Sequence, residues 1–222
     1  MKRLEENQLK FTAGVVTAFV VFALCTMGFV ALARDVNEHE TMAYDTALLR
    51  FVHSGETHFL DTFVPLATDI GGVIGASLLT LLILGLFVYK REYVRALGLF
   101  MCVAGAAILN LILKSVFERA RPDLWERLVN EASYSFPSGH AMASAAIGIG
   151  LTVALWNSRW RWWAFAASTA YVLFVGYTRL YLGVHYPTDI LAGWLVSGAW
   201  VMAVALMIRS RLGHKALKNL VK

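Results

Sequence analysis

The sequence predicts an all-α, polytopic membrane protein with six transmembrane helices in one bundle, on three observations. Of 222 residues, 58% are hydrophobic and 16% are charged, too apolar a balance for a soluble domain of this length. The apolar residues gather into six runs, most of them near the roughly 20 residues that a bilayer crossing needs. The Lys and Arg side chains lie at the edges of those runs and not in one block, as membrane proteins distribute them.

The first run, Phe11 to Ala33, carries no charge. Lys2 and Arg3 precede it and Ala31-Leu32-Ala33 ends it, a pattern close to a signal peptide, but the run exceeds a signal core and reads as a retained helix. The second spans Phe63 to Tyr89, with Pro65 and Asp69 near its start. The third, Ala96 to Leu113, ends directly at Lys114. The fourth covers Gly139 to Trp156, the fifth Trp162 to Tyr177 and the sixth Ile190 to Ile208. The fourth and fifth are short, which places their motif-bearing ends in the headgroup region. Between the first two, the polar segment Arg34 to Asp61 carries Met42, Ala47, Leu48, Leu49, Phe51 and Val52, the pattern of a short amphipathic helix on the outer surface. His53 and His58 in that segment have no ligand-like neighbour in the sequence. No internal repeat or low-complexity linker divides the chain, so residues 1–222 are expected to form one domain.

Orientation follows from the basic residues. Both terminal segments and the second-to-third and fourth-to-fifth connections hold 13 of the 20 Lys and Arg, which puts both termini in the cytoplasm. Trp156, Trp160, Trp162 and Trp163 mark the fourth-to-fifth turn as an interfacial aromatic belt. The net charge of +5 and pI near 9.3 do not signal nucleic acid, because the positive charge forms no patch. Cys25 and Cys102 sit in different apolar runs, so neither a disulfide nor a metal pair is expected.

Six crossings bring the third-to-fourth and fifth-to-sixth connections to the same outer face. The first carries Lys114, Arg121-Pro122 and Pro137-Ser138-Gly139-His140. The second carries Thr178-Arg179, His185 and Asp189. Phosphoryl transfer needs chiefly positioning and charge stabilisation, and these residues supply both. Lys114, Arg121 and Arg179 neutralise phosphoryl oxygens, the arginines as two-pronged donors. Ser138 and Gly139 precede a helix whose amide groups and dipole favour an anion, and Pro137 fixes the turn. Asp189, four residues after His185, is spaced to orient one ring nitrogen while the other attacks phosphorus; His140 is then the acid for the leaving group. No metal-ligand spacing lies beside these motifs, so no metal or other cofactor is expected.

The three segments resemble the signature of the phosphatidic acid phosphatase type 2 superfamily: Lys, six residues, Arg-Pro; Pro-Ser-Gly-His; Ser-Arg, five residues, His, three residues, Asp. All spacings agree, and Thr178 in place of Ser is the one departure. The resemblance implies a metal-independent membrane lipid phosphatase with a phosphohistidine on His185 and a six-helix core. Undecaprenyl diphosphate is the favoured substrate, with phosphatidylglycerophosphate, phosphatidic acid or a lipid A phosphate as alternatives. Two other classes compete: a transporter that only binds phospholipid headgroups, in which His185 beside Asp189 has no role, and a vanadate-dependent haloperoxidase, against which the apolar runs argue.

Overall fold

The structure, a computed structural model, describes residues 2–129 and 131–210, and side chains among them from residue 12 onward. The helices are α1 (Lys2–Asn37), α2 (Met42–His53), α3 (His58–Ala67), α4 (Val73–Tyr89), α5 (Tyr93–Phe117), α6 (Gly139–Leu155), α7 (Arg161–Tyr181) and α8 (Pro187–Arg209). A 3-10 turn, Thr68–Gly71, separates α3 from α4. No strand occurs among the described residues. The side chains of Lys2, Arg3 and Lys10, and all of Arg211, Lys215, Lys218 and Lys222, which carry much of the orientation argument, lie outside what the structure describes.

Among the described residues three helices are long and apolar enough to cross a membrane, α1 from Thr12, α5 and α8, and a fourth if the bent α3–α4 pair is one span. The apolar α6 is shorter, at 17 residues. The outward faces match a lipid solvent: Phe19 and Leu24 on α1, Leu78 and Leu82 on α4, and Ile108 and Leu111 on α5 are each more than half exposed. The centre is built from α8, which packs against α1, α5 and α6. Its buried Ala192, Gly193, Ser197 and Gly198 meet an α6 that buries Ala141, Ala145, Ala146, Gly148 and Gly150. Small residues let helix backbones approach closely where lipid supplies no hydrophobic drive.

The structure corrects three expectations. The run from Phe63 to Tyr89 is not one continuous helix but two, bent by 49° at Thr68–Gly71. Pro65 lies inside α3, where it cannot donate to the helix ladder. At Gly75 a Cβ would lie 2.1 Å from the Asp69 carbonyl oxygen, so the tight reversal needs glycine. The segment Arg34 to Asp61 is not one surface helix: it holds the end of α1, all of α2 and the start of α3. Within it α2 turns buried Asp45 and Leu49 inward and packs against α7 and α8. The fifth run continues past Tyr177 to Tyr181, so Thr178 and Arg179 are helical and buried. Cys25 and Cys102 are both free thiols.

Candidate active site

At one end of the bundle α5 and α7 finish and α6 and α8 begin. That end gathers Lys114, Arg121, Ser138, Gly139, His140, Arg179, His185 and Asp189.

The α7–α8 connection is short and almost wholly buried: Leu182, Val184 and His185 are at most 1% exposed. Gly183 turns it with φ +65, a conformation that glycine adopts without strain. Pro187 opens α8, pre-set for a helix start. Asp189 sits in that first turn, where its Oδ2 accepts from the Tyr186 amide at 2.8 Å and the Ser135 hydroxyl at 2.7 Å. The same oxygen faces His185 Nδ1 at 3.4 Å, while His185 Nε2 lies 3.2 Å from Arg121 Nη1. A guanidinium only donates. Nε2 is therefore the acceptor, and Nδ1 carries the ring proton toward Asp189. Burial pushes the His185 imidazole down to about 4, outweighing the Asp189 hydrogen bond and charge. The ring is neutral at physiological pH, with a lone pair on Nε2.

The cations come from three places. Lys114 donates to Ser133 Oγ at 2.7 Å and to the Tyr134 carbonyl at 2.6 Å. Arg121 donates to the Ser133 carbonyl and the Val184 carbonyl, both at 2.8 Å. The Ser133-Tyr134 stretch thus holds Lys114 and Arg121 side by side. Arg179, 1% exposed, donates to Thr68 Oγ1 at 3.0 Å and pairs with the Glu131 carboxylate. Its buried Nε has no hydrogen-bond partner among the described residues. Such an orphaned donor costs about 1–3 kcal/mol and is the position an anion oxygen would satisfy. Glu131 also lies 3.5 Å from Arg121 Nη2. Burial works against the Glu131 carboxylate, but Arg179 and Arg121 hold it below the usual carboxylate range. A cavity of about 850 Å³ opens beside this group, lined by Leu111, Lys114, Arg119, Arg121, Glu131 and Tyr134.

His140 lies in the first turn of α6, within electrostatic reach of Arg179, Glu131 and His185. A Cβ on Gly72, at the α3–α4 break, would stand 3.3 Å from its Nε2. The break thus walls the site, and Thr68 within it bonds Thr178 Oγ1 at 3.0 Å. The Thr178 hydroxyl is used in full, since it also donates to the Val175 carbonyl at 2.7 Å. Ser138 differs from expectation: its amide donates to the Asp189 carbonyl at 3.0 Å, and its hydroxyl caps Ala141 N at 3.4 Å. It joins the starts of α6 and α8 instead of offering its N–H outward. Phe136-Pro137 is a cis peptide, and Asn110 donates to the Pro137 carbonyl at 3.0 Å.

Several partners were not visible from sequence. Arg119, two residues before Arg121, bridges two buried carboxylates: Nη1 reaches Asp189 Oδ1 at 2.6 Å and Nη2 reaches Asp45 Oδ2 at 2.7 Å. Ser135 and Thr188 complete that network. Glu131 was also missed. His53 has partners after all, pairing with Glu56 and stacking on Trp125 with ring centroids 3.8 Å apart. Among the described residues, the one acidic group close enough to share a cation is Asp35, Glu38 and Glu40, at the end of α1 and apart from these motifs.

Comparison with known proteins bears on this arrangement directly. Residues 95–212 match the PAP2 superfamily. Phosphatidylglycerophosphatase B of Bacillus subtilis (strain 168) is 29% identical over 75% of this chain and 84% of its own length. An undecaprenyl-diphosphatase of Sulfolobus acidocaldarius is 29% identical over 62% of this chain and 66% of its own. Further relatives are named lipid A 1-phosphatase and lipid A 4'-phosphatase. The crystal structure of a transmembrane PAP2-type phosphatidylglycerolphosphate phosphatase from Bacillus subtilis superposes with a TM-score of 0.74. It is 25% identical and covers 90% of this chain and 97% of that one. With more than half its length matched and a shared helical architecture, the chain belongs to the PAP2 superfamily and is a membrane lipid phosphatase of that type.

Proposed function

We propose that the chain hydrolyses the phosphate of a polyprenyl diphosphate, undecaprenyl diphosphate above others, through a phosphohistidine on His185. Lys114, Arg121 and Arg179 hold the phosphoryl oxygens, and no metal ion is required. Nε2 of His185 forms the new N–P bond as the P–O bond to the leaving group breaks. His140, which takes up a proton as the phosphate anion binds, gives that proton to the leaving oxygen. Water then attacks phosphorus, loses a proton to His140 and breaks the N–P bond, releasing inorganic phosphate and restoring both rings. Asp189 holds the Nδ1 proton throughout and stabilises the charge that forms on the ring.

One observation carries this reading: a neutral, buried His185 presents Nε2 to Arg121, beside an Arg179 whose Nε has no partner. An incoming phosphoryl group would take over Arg121 from Nε2 and supply the acceptor that Arg179 lacks. Three side-chain cations then stabilise charge where a divalent ion does so elsewhere. Substrate preference rests on the cavity. It borders Leu111, which is 71% exposed on the lipid-facing side of α5, so a tail in the bilayer can deliver a phosphate sideways. Besides the phosphate-directed cations its wall carries Ser115, Asp123, Arg127 and Ser133, groups that the second phosphate of a diphosphate could engage. The close second reading, a phosphatidylglycerophosphatase, is favoured by the Bacillus subtilis relatives, which bear that name.

In the same reading residues 1–222 form one domain of six crossings, made by α1, the α3–α4 pair, α5, α6, α7 and α8. Both termini are cytoplasmic, and the site faces outward at the plasma membrane. The test is phosphate release by purified protein across the three lipid classes, with excess chelator and with His185→Ala alongside. Activity should survive chelation and vanish in His185→Ala, and membrane-impermeant phosphate analogues should inhibit in intact cells. A specificity constant favouring a glycerophospholipid or lipid A by more than about 100-fold, roughly 2.7 kcal/mol, overturns the substrate assignment. An active His185→Ala overturns the mechanism.

A further inference from the structure

Beyond the residues given roles above, the densest buried charge lies just behind Asp189. The Asp189 carboxylate is 0% exposed and Asp45, on α2, is 1% exposed. One guanidinium joins them: Arg119 Nη1 donates to Asp189 Oδ1 at 2.6 Å and to Thr188 Oγ1 at 2.8 Å, and Nη2 donates to Asp45 Oδ2 at 2.7 Å. Asp45 in turn accepts from the Thr188 amide at 3.1 Å and the Thr188 hydroxyl at 2.7 Å, and from Thr41 at 3.1 Å. The Tyr186 ring lies 4.2 Å beneath the guanidinium, a cation–π contact.

We propose that Arg119, held by Asp45, is a positioning residue that locks the Asp189 carboxylate in the rotation and charge state His185 requires. The proposal rests on the phosphohistidine reading above. The Tyr186 amide and the Ser135 hydroxyl hold Oδ2 of Asp189 beside the ring, and Arg119 fixes the opposite oxygen, Oδ1. The second effect is electrostatic. Two buried carboxylates converge on Arg119, the cation between them. The other charged or titratable groups bearing on the pair are His185 on the same turn, Tyr186 beneath the guanidinium, and Lys114, Arg121 and Arg127 at longer range. Without Arg119 like charges face each other out of water, and one carboxyl takes up a proton. A protonated Asp189 no longer fixes the His185 tautomer.

The test compares Arg119→Gln, Arg119→Lys and the double variant Arg119→Gln/Asp45→Asn with the parent enzyme, each purified and checked for a monodisperse, folded state. Arg119→Gln should lower kcat roughly 10- to 100-fold, the usual scale for groups that orient a catalytic side chain, with KM nearly unchanged. The acid limb of its pH–rate profile should move up by about one unit or more. Arg119→Lys keeps the charge and loses the fork, so its acid limb should stay in place while kcat falls less. Removing the second carboxylate in the double variant should return the acid limb toward that of the parent. A folded Arg119→Gln with parental kcat and acid limb overturns the proposal, as does a double variant whose acid limb stays displaced. If Arg119→Gln does not fold, the Arg119→Lys profile decides: a shifted acid limb overturns the proposal. His185→Ala, run in parallel, separates the two levels. If it is active the phosphohistidine reading fails; if it is dead while Arg119→Gln behaves as the parent, only the positioning role fails.

Discussion

Two connections meet at the candidate site, and they are built in opposite ways. The α7–α8 connection has five residues, Leu182 to Tyr186, all buried and locked by a glycine turn, a proline helix start and Asp189. The α5–α6 connection is much longer and keeps Asp123, Leu124, Glu126, Leu128 and Tyr134 exposed. The short one holds the histidine proposed as nucleophile; the long one brings Arg121 and Glu131 and walls the cavity. A nucleophile gains from being held within a fraction of an ångström, whereas a wall that admits a lipid headgroup must yield. The difference predicts that changes in the short connection act on kcat and changes in the long one act on KM.

After removal of His185 itself, the largest effect should come from Asp189→Asn. An amide can offer an N–H where the carboxylate accepted one, so the His185 ring is no longer held with its proton on Nδ1. Loss of the equivalent orienting carboxylate in a histidine-based hydrolase costs about 10⁴-fold in kcat. A comparable fall is expected here, with KM within a few-fold of the parent. A mutant that instead raises KM at constant kcat would erase the division between the connections.

Next in size is the titration of His185. Its folded value of about 4 lies below the usual 6.5 of a free imidazole. The neutral, attacking form therefore persists as pH falls through 6.5 and is lost only near 4; the folding stability tied to that neutral ring is complete above 6.5 and declines between the two. Ring-nitrogen NMR of micelle-embedded protein, with His185→Ala to assign the signal, should find this histidine still neutral at pH 5.5. A midpoint near 6.5 would mean that the short connection admits water.

Much of this architecture is legible in the sequence, and the misses share a cause. The starts of α6 and α8 fall within a few residues of expectation, because apolar runs and the proline and serine that open them are local signals. The break at Thr68–Gly71 was missed although Pro65, Asp69 and Gly71-Gly72 mark it, since averaging apolarity across the run hides a turn. Thr178 and Arg179 read as the start of a loop but complete α7, because Thr68 and Glu131 pair both terminal nitrogens of Arg179 where lipid could not. The motif residues stood out by spacing. Asp45 did not, because its partner Thr188 is 143 residues away and nothing local separates a buried Asp from an exposed one in a short helix. Arg119 was overlooked for the same reason, one basic residue among several at the end of a span.

The smallest and most discriminating effect belongs to Glu131, on the long connection. Its carboxylate occupies Arg179 and lies 3.5 Å from Arg121, two of the three cations assigned to the phosphoryl group. An incoming phosphate must displace it. The pair is about a quarter exposed on the Glu131 side, so the interaction to be broken is worth about 1 kcal/mol, near the upper end for accessible ion pairs. Glu131→Gln should therefore lower KM, and the inhibition constant for vanadate with it, by roughly fivefold, while kcat changes less than about twofold. The direction follows from competition: removing a resident anion favours the arriving one. A raised KM would instead make Glu131 part of the binding surface. A collapse of kcat would place it in the chemistry, and the long connection would then no longer be the purely adaptive half of the site.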